Sequence, residues 1–292
     1  MRNPMTTLPF RPLDWVASVK DFSSAAGVHN RGIGLYIAED TQRFVLGTRK
    51  LTWDGRAFRY GRCGTTWTST TMGVHNDTIL VCNRVGATAA APVTAPIGAS
   101  KITVTFTANV LGDSTSQNDA QRTGVIAENE LVGGYIHLQT IPVAGTEHDE
   151  NRLIVGNTAV VAGGTSMIIY LDEPLNYAML TGTTTCEILA SPYANLRRSN
   201  DEFVSVMGVA NCVATAEEYV WLQTWGPIRI SPNTDTPVNR DRQYVFDDFG
   251  TMIPAGDYNA GTFSPQHAGF LLEKTVATQY YHSPFINLQI NP

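Results

Sequence analysis

Lys101-Ile102-Thr103-Val104-Thr105-Phe106-Thr107 sets an apolar side chain at every second position, with a cation or a hydroxyl between. Successive side chains of an extended chain point to opposite faces, so this stretch predicts a strand with one dry face and one wet face. The alternation returns near the end of the chain, where Ile286, Leu288 and Ile290 alternate with Asn287 and Gln289. Between these two lie further short strand-like runs at Tyr135–Gln139, Arg152–Val155, Met167–Leu171, Thr185–Leu189, Phe203–Met207, Tyr219–Trp225, Ile228–Ile230, Gln243–Phe246 and Ala268–Leu272. Turn-forming residues separate them, and no long amphipathic helix interrupts them. That pattern predicts an all-β chain, a β-sandwich or barrel with at most short helices.

Upstream of Lys101 the same signal continues in shorter pieces. Leu51–Trp53 and Arg56–Tyr60 flank Asp54-Gly55, a dipeptide suited to the positive φ angles of a type I′ turn, so a hairpin is expected there. Gly34–Ala38, Arg43–Leu46 and Thr78–Cys82 read as further strands, and Gly124–Leu131 as one or two helical turns stopped by Gly133-Gly134. Residues 1–30 read as an extended N-terminal arm, because Pro4, Pro9 and Pro12 block regular structure. The one regular element compatible with it is a short helix at Leu13–Phe22. Phe10, Trp15 and Phe22 give the arm apolar anchors and are its candidate partner contacts. The chain then divides into an N-terminal β-hairpin region at 31–84, an Ala-, Thr- and Pro-rich linker or crossing segment at 85–100, and a main β domain at 101–292. In the alternative division 31–84 and 101–292 form one domain.

The 292 residues carry a formal net charge of −6, and 16% of them are charged, against roughly 25% in an average soluble domain. Phosphate backbones are bound by clustered Lys and Arg, and no basic run longer than Arg197-Arg198 occurs, so nucleic acid is not an expected partner. No apolar run approaches 18 residues, so no membrane span is expected, and the first ten residues lack the apolar core of a signal peptide. Cys63, Cys82, Cys186 and Cys212 are far apart, without metal-ligand spacing, and read as buried free thiols.

Sequence patterns that carry chemistry are few. There is no nucleophile elbow, zinc motif, phosphate loop or calcium loop. No catalytic residue, cofactor or metal is expected. Glu147, His148, Asp149 and Glu150 are the one weak metal candidate, since clustered carboxylates suit a hard cation, but the calcium-loop spacing is missing and a solvated loop is the expected reading. His137 is expected on the outer or interface face of its strand. Tyr219, Trp221, Gln223 and Trp225 share one face of a strand that is apolar on both, which predicts a central buried strand before an interface or a sugar platform.

Four passages together resemble a group of structural proteins of tailed phages. They are Leu46-Gly47-Thr48-Arg49 with Asp54-Gly55-Arg56-Ala57-Phe58-Arg59-Tyr60; Pro96–Phe106 leading to Glu128-Asn129-Glu130-Leu131-Val132-Gly133-Gly134-Tyr135; Leu171-Asp172-Glu173-Pro174-Leu175 with Ser191-Pro192-Tyr193; and Tyr219-Val220-Trp221-Leu222-Gln223-Thr224-Trp225-Gly226-Pro227. Their succession covers roughly residues 40–290. The resemblance implies a non-enzymatic virion protein of the capsid decoration or cement type, made in the host bacterial cytoplasm. Its implied partners are the major capsid protein and itself, as a trimer or dimer on a local symmetry axis of the shell. The acidic balance suits the capsid exterior, away from packaged DNA. A tail or connector component and a host-surface glycan-binding adhesin are the alternatives.

Overall fold

The structure, a computed structural model, describes residues 34–68, 70, 72–76, 80–82, 93–106, 125–140, 147–179, 184–198, 205–231, 242–247, 249–256, 265–272 and 285–290. The arm at 1–30, with Phe10, Trp15 and Phe22, lies outside these residues, as do residues 85–92 of the 85–100 segment. Among the described residues the chain is all-β, without a helix, and forms two curled antiparallel sheets.

By internal contact the chain falls into two units. The described residues of the first all lie within Thr78–Ala194, and those of the second lie in the chain on either side of that stretch.

The first unit holds a seven-stranded sheet. Its strands are β4 (Leu80–Cys82), β5 (Val93–Thr94), β6 (Lys101–Thr105), β7 (Tyr135–Thr140), β8 (His148–Asn157), β9 (Ser166–Leu171) and β10 (Thr184–Leu189), in the spatial order β4-β10-β7-β8-β9-β6-β5. The alternation read in the sequence is the alternation of burial. Ile102 and Val104 of β6, Ile136 and Leu138 of β7, Met167, Ile169 and Leu171 of β9, and Cys186 and Ile188 of β10 turn inward to one core with Ile126, Leu131, Ile154 and Leu175. Thr140 and Thr184 also face inward, directly opposite each other, and their hydroxyls bond at 2.8 Å, which offsets the cost of drying them. Tyr135, His137 and Gln139 take the opposite, outer face.

The predicted helical turns at Gly124–Leu131 do not form; residues 128–133 are a chain of turns. A helix would need the Leu131 amide to donate to the Ala127 carbonyl. The Asn157 side chain takes both groups: its Oδ1 accepts from the Leu131 N–H at 2.9 Å and its Nδ2 donates to the Ala127 carbonyl at 2.9 Å. Asn129 adopts φ 61°, a left-handed conformation that asparagine tolerates better than most residues.

The second unit holds a ten-stranded sheet made of β1 (Arg49–Leu51), β2 (Ala57–Arg62), β3 (Gly73–Asn76), β11 (Leu196–Arg197), β12 (Val206–Ala210), β13 (Tyr219–Arg229), β14 (Gln243–Phe246), β15 (Met252–Pro254), β16 (His267–Leu271) and β17 (Phe285–Gln289). Its order is β11-β3-β12-β13-β17-β16-β14-β15, with β2 on β13 and β1 on β2. The eleven residues of β13 unite the two runs expected at Tyr219–Trp225 and Ile228–Ile230. Gly226 adopts φ 92° within the strand, and the Gln223 side-chain amide donates to the carbonyls of Trp225, Gly226 and Pro227. Val220 to Thr224 are all buried, as expected of a central strand. The β-like runs at Gly34–Ala38 and Arg43–Leu46 are turns and irregular chain instead; only Glu39, bridging to Tyr219, joins the sheet.

Candidate functional site

The hairpin of β1 and β2 ends in the most exposed large apolar side chain among the described residues. Cross-strand partners Arg49 and Arg59, Lys50 and Phe58, and Leu51 and Ala57 leave Thr52–Arg56 as its loop. The Thr52 N–H donates to the Arg56 carbonyl at 2.9 Å, and the Gly55 N–H to the Thr52 carbonyl at 3.0 Å. Only Gly55 has a positive φ, 84°, so the expected type I′ turn, which needs two such residues, is replaced by a longer loop.

Polar side chains brace that loop. The Asp54 carboxylate accepts from the Thr52 hydroxyl, from the Arg56 N–H at 3.3 Å and from Arg56 Nε at 2.8 Å. Arg56 Nη1 reaches on to the Tyr36 hydroxyl at 2.8 Å. Partial burial works against the Asp54 charge, but the hydrogen bonds from Thr52 and Arg56 and the charge of Arg56 outweigh it, and the carboxyl is held below its usual range. On this frame Trp53 stands 84% exposed, and Tyr36 and Ile37 are 54% and 62% exposed. By sequence Trp53 falls at the end of the expected strand Leu51–Trp53. The available signal was its position: an aromatic residue immediately before Asp-Gly sits where a hairpin leaves the sheet.

Beneath the tip the hairpin is anchored in the aromatic strand. Tyr60 packs on Trp221 with ring centres 5.1 Å apart and stacks on Tyr219 at 5.8 Å, and Phe44 meets Tyr60 and Trp221 edge-on at 5.3 Å each. The Lys50 ammonium lies over the Trp221 ring, 5.1 Å from its centre. The Tyr60 hydroxyl accepts the Arg43 N–H at 3.1 Å. Trp221 is only 3% exposed, so it is core and offers no face to a sugar ring.

The acidic run 147–150 belongs to strand β8 from His148 onward, and the strand splits it. Asp149 lies on the outer face, where its Oδ1 is 3.7 Å from His137 Nε2; His137 Nδ1 is 3.0 Å from Asn151 Oδ1. Glu150 points the other way and is buried. Its carboxylate pairs with Arg152 and accepts the backbone N–H groups of Asn176, at 3.0 Å, and Tyr177, at 2.8 Å. His148 stacks on the Tyr177 ring at 4.0 Å. Glu150 is therefore a clamp on the loop after β9. Among the described residues no three His, Cys, Asp or Glu side chains group so as to hold a metal ion.

A second exposed apolar patch lies on the ten-stranded sheet. Leu272 donates its N–H to the Phe285 carbonyl at 2.9 Å, and Phe270 stands two residues earlier on the same side of β16. These three are 40–49% exposed. Cys63, Cys186 and Cys212 are buried free thiols, as expected. Comparison with protein-family models, curated proteins and solved structures finds no match to this chain.

Proposed function

We propose that this chain is a non-enzymatic structural protein of a tailed-phage virion, one that binds the outside of the capsid and stabilises the contacts between capsomers. The observation that carries this reading is the succession of four sequence passages resembling such proteins. The fold gives the first and last of them a common setting: Leu46–Arg49 leads into β1, Arg56–Tyr60 leads into β2, and β2 pairs with Tyr219–Trp225 of β13. A chain poor in charge that holds Trp53, Phe270, Leu272 and Phe285 at its surface is suited to protein contact, because little ionic desolvation opposes burial of those side chains.

Quantitative mass spectrometry of purified particles, paired with immunogold labelling, tests the reading. Hundreds of copies spread over the head are the expected result. A few copies at a vertex or on the tail would reassign the protein to a connector or an adhesin, and absence from particles would end the structural reading.

A further inference from the structure

The loop of the β1–β2 hairpin holds the chain's one Asp-Gly pair, Asp54-Gly55, and with it a covalent reaction that the fold restrains. In an open chain the backbone nitrogen that follows an aspartate attacks the side-chain carboxyl carbon. The bond from that nitrogen to Cγ forms, the C–O bond of the protonated carboxyl breaks, and water leaves with the amide proton. A second water then opens the five-membered imide. Opening at the main-chain carbonyl leaves an isoaspartyl link, in which the chain runs through the former side chain. No oxidant or cofactor takes part. Glycine is the most permissive successor, because no side chain shields its nitrogen.

Crowding does not restrain the pair: apart from the chain neighbours of Gly55, no atom lies within 4 Å of where its Cβ would stand. Hydrogen bonds do, and they act on both reacting groups. The Gly55 N–H is given to the Thr52 carbonyl at 3.0 Å. Both oxygens of the Asp54 carboxylate are engaged. Oδ1 accepts from the Thr52 hydroxyl and from the Arg56 N–H at 3.3 Å, and Oδ2 accepts from Arg56 Nε at 2.8 Å. Turning the carboxyl onto the nitrogen breaks these bonds. Protonating it, as the leaving group requires, forfeits the charge-assisted bond to the guanidinium. Arg56 is itself fixed, by its carbonyl to the Thr52 N–H at 2.9 Å and by Nη1 to the Tyr36 hydroxyl at 2.8 Å. The reaction therefore waits on opening of the loop, a local event that costs less than unfolding of the whole chain.

We infer that Asp54 is a site of isoaspartate formation gated by the hairpin loop, with Thr52 and Arg56 as the residues that hold it shut. The extra main-chain carbon of the product lengthens the loop between Thr52 and Arg56, so each conversion is a lasting record of an opening. The test incubates the full-length chain well below its unfolding midpoint and reads isoaspartate at position 54 by peptide mapping. Wild type is compared with Arg56→Ala, Thr52→Val, Gly250→Ala and a synthetic peptide of residues 49–59. The peptide and Arg56→Ala are each expected to convert about tenfold or more faster than wild type, and Thr52→Val at a rate between wild type and Arg56→Ala, since it loses a hydrogen bond from a neutral donor. Gly250→Ala weakens the same unit at the Gly73 approach, outside the loop, and is expected to keep the wild-type rate. Equal rates in the peptide and wild type would overturn the gate, as would Arg56→Ala converting no faster than wild type. Gly250→Ala converting as fast as Arg56→Ala would overturn it too, by assigning the reaction to unfolding of the whole unit.

Discussion

At the scale of single residues, the sharpest contrast lies between two glutamates of the acidic run and the tyrosine under the hairpin. Glu147 is exposed, whereas Glu150 is 3% exposed and serves three donors at once, the Arg152 guanidinium and the amides of Asn176 and Tyr177. Replacing it by alanine leaves a half-buried cation and two amides without their acceptor. Glu150→Ala should therefore lower the unfolding free energy by about 3–5 kcal/mol in a urea titration, while Glu147→Ala should stay within about 0.5 kcal/mol. Tyr60 makes a pH prediction. Burial chiefly, with the negative charge of Glu39 and the neighbouring Tyr219 adding to it, pushes its phenol up to about 12, although the Arg43 N–H and charge pull the other way. A phenol that ionises later in the folded chain than in the unfolded one stabilises the fold in full below pH 10, and that contribution is lost as pH rises from 10 toward 12. Ultraviolet phenolate absorbance should show one tyrosine titrating late, and Tyr60→Phe should remove both that late step and part of the loss of stability above pH 10.

At the scale of elements, two glycines at positive φ separate strain from crowding. Gly55, φ 84°, has nothing within 4 Å of where a Cβ would stand, so Gly55→Ala should cost only the left-handed conformation, about 1–2 kcal/mol. Gly250, φ 71°, accepts the Gly73 N–H at its carbonyl oxygen, and a Cβ there would lie 2.5 Å from the Gly73 carbonyl oxygen. Gly250→Ala should cost distinctly more than Gly55→Ala in the same denaturant titration, since backbone on both sides must part; equal costs would mean that the Gly73–Gly250 approach is loose. These turns also mark what the sequence could carry. The alternation of Lys101–Thr105, Tyr135–Gln139 and Ile286–Gln289 is a local property of the chain and survives as burial. The separation of Tyr219–Trp225 from Ile228–Ile230 is not, because the two runs form one strand, in which the Gln223 side chain satisfies the carbonyls of Trp225, Gly226 and Pro227. Nor is the failed helix at 124–131, which is decided by Asn157 some thirty residues away. The hairpin was legible as a turn, but the exposure of Trp53 at its tip was not, since it depends on which strands cover which faces.

At the scale of the molecule, the order of strands in space is the part that composition could not give. Strand β3 ends at Asn76 and its neighbours β11 and β12 begin at Leu196 and Val206, so the second sheet is closed by chain segments separated by the whole first unit. Nothing in the local sequence at Asp77 or Asn195 announces that separation, because it is enforced by pairing across more than a hundred residues. The arrangement predicts unequal behaviour of fragments. The described residues of the first unit all lie in one stretch of chain, within Thr78–Ala194, and eighteen buried apolar residues among them make one cluster of their own, from Ala95 to Ala190. A fragment of residues 78–194 should therefore fold alone, with the far-ultraviolet signature of sheet, dispersed amide resonances and a cooperative thermal transition. The second unit is built from both ends of the chain: β2 pairs with β13, and β3 lies between β11 and β12. A fragment of residues 195–292 lacks β1–β3 and exposes the paired edge of β13, including the ring faces that Phe44 and Tyr60 cover on Trp221. It should stay unfolded or aggregate, as unpaired strand edges do. Adding residues 34–77 as a separate peptide should restore sheet and bury Trp221, read as a blue shift of its fluorescence. If 78–194 stays disordered while the full chain unfolds in one step, the two units are thermodynamically one, and each core depends on the other for its stability.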